Sequence, residues 1–93
     1  MNEDNHIGRV VYSKCGRDSK KYFVVTQKIN EEYVYIADGS LRTIQKPKKK
    51  KIKHLILGSL VSEEIKDLVL SGKEISNSEI RKFLQSVDNN KEV

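Results

Sequence analysis

Between Gly8 and His54 five short runs rich in β-branched and aromatic residues follow one another, with no stretch of helical periodicity between them. They span 9–13, 21–29, 33–37, 41–45 and 52–55. Runs of this length and composition, set off by turn residues, read as strands. Asp38-Gly39 is a two-residue hairpin signal, because both positions of that tight turn take φ > 0, which glycine tolerates freely. Asn30-Glu31-Glu32 marks a longer turn, and the polar segment 14–20 connects the first two strands.

Five strands in under fifty residues fit a small closed barrel better than an open sheet, since closure removes the edges that invite aggregation. The expected fold is mainly β with a C-terminal α part: a small SH3-like β-barrel followed by two short helices. Tyr22-Phe23-Val24-Val25 breaks simple alternation, as a central strand covered on both faces does, and the second cover is expected from the C-terminal part. There, Ser62 is placed to N-cap a helix bearing Ile65, Leu68 and Val69, with Gly72 just beyond its end. Ser76 and Glu79 form a capping box, Ile75 and Ile80 a hydrophobic staple, and Ile80, Phe83, Leu84 and Val87 recur at helical spacing. The expected organisation is a flexible N-terminus at 1–6, a barrel at 7–57, a helical extension at 58–87 and a flexible tail at 88–93. A chain ending near Leu57 is expected to keep a folded β structure.

Charge is distributed unevenly. Residues 1–54 carry thirteen Lys and Arg against six Asp and Glu, whereas 55–93 carry five against seven, so the net +5 belongs to the strand-rich part. Such asymmetry points to a polyanionic partner. Its densest stretch is KPKKKK at 46–51. Lysine blocks are often only solvated charge, and this one has the composition of a nuclear localisation signal. Strand-like alternation follows at once, however, and Pro47 stiffens the entry, so the lysines are expected to project from the barrel rim as a phosphate-binding surface. Lys14, Arg17, Lys20, Lys21, Arg42, Lys46, Lys48, Lys49, Lys50, Lys51 and Lys53 are the candidate phosphate-binding residues for a polyanion such as nucleic acid. Arg17 in the 14–20 loop is the candidate for recognition, since a guanidinium pairs bidentately with phosphate and stacks on unpaired bases. Tyr22, Phe23, Tyr33 and Tyr35 are expected in the core, with Tyr12 the most open case.

No apolar run approaches the roughly 18 residues that cross a bilayer, and the acidic-polar start lacks the pattern of a signal peptide. A soluble, cytoplasmic monomer is expected. A lone Cys15 forms no internal disulfide, and with His6 and His54 it is too little for a structural zinc site. Nothing places His54 near Cys15 as a base for a nucleophile, and there is no phosphate-binding Gly loop or paired-carboxylate motif. No catalysis, metal or cofactor is expected.

Ile7-Gly8-Arg9-Val10-Val11-Tyr12-Ser13, then Gly16-Arg17-Asp18 and Lys20-Lys21-Tyr22-Phe23-Val24-Val25, resembles the KOW motif of large-subunit ribosomal proteins of eukaryotes and archaea. The stretches at 33–39, 41–42, 46–50 and 52–55 are similar to small bacterial KOW-domain RNA-binding proteins related to that group. The likeness covers about 7–55. It implies an SH3-like barrel, RNA binding without catalysis, and association with ribosomal RNA or the ribosome. Family members commonly carry a second glycine after the Arg-Asp pair, whereas Asp18-Ser19-Lys20-Lys21 has none. The alternative is a protein-interaction adaptor of the transcription or translation machinery, with ribosomal or transcription proteins as partners and the Ile80, Phe83, Leu84 stripe as its contact face. A DNA-binding accessory protein is a third reading.

Overall fold

The computed structural model describes residues 6–14 and 21–90, the last three of these by backbone alone. The elements are β1 (Arg9–Ser13), β2 (Tyr22–Lys28), β3 (Tyr33–Ala37), β4 (Lys48–Lys51), β5 (Leu55–Val61), α1 (Glu63–Leu70) and α2 (Asn77–Asn90). One turn of 3-10 helix, Ile52–His54, joins β4 to β5. The protein is thus mainly β with a C-terminal helical part.

All five strands lie in one antiparallel sheet, ordered β4-β3-β2-β1-β5. Its two edge strands are consecutive in the chain, yet no ladder joins them, so the hydrogen-bonded closure expected of the barrel is not formed. The 3-10 turn is committed elsewhere: Ile52 N–H donates to Glu32 C=O (2.8 Å), and His54 C=O accepts from Lys14 N–H (3.1 Å). Both faces of the sheet are nevertheless buried. On one, Val10, Val24 and Ala37 pack with Ile65, Ile75, Ile80, Leu84 and Val87 of the C-terminal part. On the other, Val11, Phe23, Val25, Val34, Ile36 and Leu55 pack together with Ile52 against them and no helical side chain among them. Since those six are at most 5% exposed, the sheet curls to bury its own inner face.

The helices are set by local chemistry. Ser62 Oγ accepts from Ile65 N–H (3.2 Å) at the start of α1. At its end, Gly72 N–H bonds Val69 C=O (3.0 Å) and Lys73 N–H bonds Leu68 C=O (2.8 Å), the paired bonds of a Schellman motif. Before α2 the capping box is complete: Glu79 N–H donates to Ser76 Oγ (3.1 Å) and Ser76 N–H to Glu79 Oε1 (3.1 Å). Ile75 and Ile80, the staple pair, are both buried. The stripe Ile80, Leu84, Val87 therefore covers the sheet, with Phe83 packed at its margin.

Four sequence expectations need correction. The run 41–45 forms no strand: α2 takes its Ile44 N–H through Asn77 Oδ1 (2.8 Å), the Arg42 N–H and C=O are taken by Asp38 and Gly39 of the same connection, and hydrogen bonds from Asn77 Nδ2 to Gln45 Oε1 (3.0 Å) and from Arg81 to Gly39 C=O hold the segment against the helix. Asp38-Gly39 opens not a two-residue hairpin but the connection 38–47, in which Asp38 Oδ1 caps Ser40 N–H and Arg42 N–H (both 2.9 Å). The expected strand at 52–55 is 3-10 for three residues, and its apolar pattern continues as β5 to Val61, past the boundary drawn at 57. At the other end, helical backbone reaches Asn90, into the stretch expected to be a loose tail.

Candidate nucleic-acid interface

The lysine run is an edge strand. β4 pairs with β3 in the register Tyr33↔Lys51, Val34↔Lys50, Tyr35↔Lys49 and Ile36↔Lys48, and among the described residues its other side carries no strand. Lysine has little intrinsic preference for a strand; here the backbone ladder to an apolar β3 imposes the conformation. Alternation then divides the charges. Lys48 and Lys50 lie on the face of Val34 and Ile36, half-buried, as long stems beside apolar surface are. Lys49 and Lys51 share the opposite face with Tyr33 and Tyr35. The Lys49 ammonium sits 4.7 Å from the Tyr33 ring centroid and that of Lys51 5.8 Å, within cation–π range.

Tyr33 is held firmly. Its N–H donates to Asn30 Oδ1 (2.9 Å), and its C=O accepts from Ile29 N–H (3.0 Å) and Asn30 N–H (3.3 Å). Asn30 Oδ1 also accepts from Glu32 N–H (2.8 Å), so one side chain shapes the whole β2–β3 turn. Between that turn and the 3-10 turn lies a cavity lined by Glu31, Glu32, Lys51, Ile52 and Lys53. Glu31 is ion-paired with Lys28 (3.6 Å).

Lys46 and Lys53, both exposed, extend the row at either end of β4. Exposed Lys14 joins it at the 3-10 turn through its bond to His54, and exposed Lys21 stands at the other foot of the same loop, its C=O accepting from Ser13 N–H (3.1 Å). Arg17 and Lys20 lie outside the described residues, as does Cys15. Arg42 is placed apart: half-buried in the 38–47 connection, with its backbone tied to Asp38 and Gly39. Neither a protein-family model nor a curated protein matches this chain. The candidate interface therefore stands on its own geometry.

The sequence reading placed Tyr33 and Tyr35 in the core, but neither belongs to the two buried clusters. The signal was present: in Tyr33-Val34-Tyr35-Ile36 the β-branched residues alternate with tyrosines, and a strand with one buried face puts the former inside. Phe23 is in the core, while Tyr22 lies at its edge against Tyr12, ring centroids 5.3 Å apart. Among the described residues no helix is long and apolar enough to cross a membrane, and no three His, Cys, Asp or Glu gather as metal ligands.

Proposed function

We propose that this is a non-enzymatic RNA-binding protein of the KOW kind, a cytoplasmic monomer acting on structured, ribosomal RNA or at the ribosome. The reading is carried by one observation: an ordered strand of four lysines, extended by Lys46, Lys53, Lys14 and Lys21. Lysines also protect a sheet edge from pairing with other chains, but one or two charges suffice for that. Four in register, with more at both ends, concentrate like charge that repels itself, a density beyond what edge protection requires and one suited to a polyanion. The SH3-like reading is supported by the strand order, the 3-10 turn between the edge strands and the curled, self-covering inner face. An adaptor would need a surface other than the helical stripe, whose Ile80 and Leu84 are buried and whose Phe83 is half-buried against the same cluster.

Mechanism follows from the placement. Ammonium groups on a fixed strand neutralise successive phosphates and release condensed counterions, while the curvature of the rim favours folded RNA by shape. If about four to six phosphates are neutralised, log affinity falls against log salt with a slope of roughly −3 to −5. Replacing Lys48, Lys49, Lys50 and Lys51 together by Gln is expected to lower that slope by about 0.7 to 0.9 per lost contact. The same variant should melt at an equal or higher temperature in low salt, because the repulsion is gone. Filter binding across salt and a thermal melt decide it. A flat salt dependence for the wild-type protein would sink the RNA reading, and duplex DNA outcompeting structured RNA would turn it toward DNA.

A further inference from the structure

We propose that Tyr33, flanked by Lys49 and Lys51, is a stacking subsite for one unpaired RNA base, so that the interface takes a nucleotide displaced from a helix and not helical backbone alone. This rests on the RNA-binding reading above and specifies which part of an RNA the site takes.

Three features carry it. The first is chemical: Tyr33 is only half-buried, lies outside both apolar clusters and shares its face with two lysines. An aromatic ring beside fixed cations on a basic strand has the two components of a single-strand site, a π-face for the base and charge for the backbone. The second is spacing. Lys49 and Lys51 are two residues apart on one strand, about 7 Å, close to the separation of successive phosphates in an extended single strand. A base that stacks on Tyr33 displaces an ammonium from the ring, and that ammonium then meets the adjoining phosphate. The third is preorganisation: the Tyr33 backbone is bonded on both sides through Asn30 and Ile29, so little further ordering accompanies binding. Glu31 and Glu32 at the neighbouring cavity repel a phosphate there, so the RNA backbone leaves along β4 rather than across the β2–β3 turn.

A cross-strand Tyr–Lys contact also stabilises a sheet by itself, so the test separates the two roles. The full chain is titrated with an RNA hairpin carrying an unpaired loop and with a fully paired RNA of equal phosphate number, for wild type, Tyr33→Ala and Tyr33→Phe. Tyr33→Ala is expected to weaken loop binding about 5- to 100-fold, to leave duplex binding and the salt slope unchanged, and Tyr33→Phe to restore loop binding. Retained duplex binding shows that the variant is folded. Equal losses on both RNAs, or no loss on the loop, overturn the stacking subsite while the RNA reading survives. Failure of the wild-type protein to bind either RNA overturns both.

Discussion

A chain truncated after Leu57 is expected to lose cooperative folding altogether. The cut removes the second half of β5, whose Val61 still pairs with Arg9, and with it both helices. Of the eight buried residues that fill the space between sheet and helices, Ile65, Ile75, Ile80, Leu84 and Val87 go, leaving Val10, Val24 and Ala37 facing water. Each lost aliphatic side chain withdraws about 1.5–3 kcal/mol of burial, against a total stability of about 5–15 kcal/mol for a domain. A heteronuclear NMR spectrum collapsed into the random-coil range is the expected result. A dispersed spectrum with a sharp melt would mean that the sheet's inner face alone sustains the fold. The sequence suggested that second outcome, since strands and helices separate cleanly by pattern; the shared core across that boundary is visible only once the sheet is assembled.

Alanine at Gly39 should cost about 3–5 kcal/mol, combining left-handed strain with overpacking. Gly39 has φ +81°, and a Cβ there would lie 2.5 Å from the backbone oxygen of Asn77 and 2.9 Å from Arg81 Cγ. Gly72 provides the control. It has φ +75° but open space around it, so alanine there should lose only the conformational part, about 1–2 kcal/mol. Urea denaturation of both variants at constant m-value separates close approach from backbone preference. Equal losses would show that the 38–47 connection does not seat α2 tightly.

Legibility from sequence followed how local the determinant was. The two capped helix starts rest on side chains three residues from the backbone groups they satisfy, and the Gly72 terminus on backbone bonds within five residues, and all three were readable. Strands β1 and β3 were readable from their apolar content. The run 41–45 resembled them, but its Leu41 is 71% exposed and its backbone is held by Asn77, more than thirty residues away. The lysine strand was hidden for the converse reason: its conformation comes from the neighbour it pairs with, and composition alone describes a loop. With the strand hidden, so was the parity that sets Lys49 and Lys51 beside Tyr33. Arg42 was grouped with the basic rim by charge, although the connection that carries it turns toward α2.

The two borders of the sheet are chemically opposite. β4 is all lysine, while Leu55–Val61 contains no charged residue and leaves Ile56 47% and Leu57 39% exposed. Copies of a chain can join strand to strand in three ways. Two lysine borders repel, and a lysine border against an apolar one strips water from ammonium groups without supplying a counter-charge. The latter is the heterologous, head-to-tail contact that would otherwise propagate into a filament. Only the meeting of two β5 borders escapes both penalties, and about a two-fold axis it consumes the free border of each copy. If the described borders of the proposed monomer were ever forced together strand to strand, the pairing would stop at two copies instead of propagating.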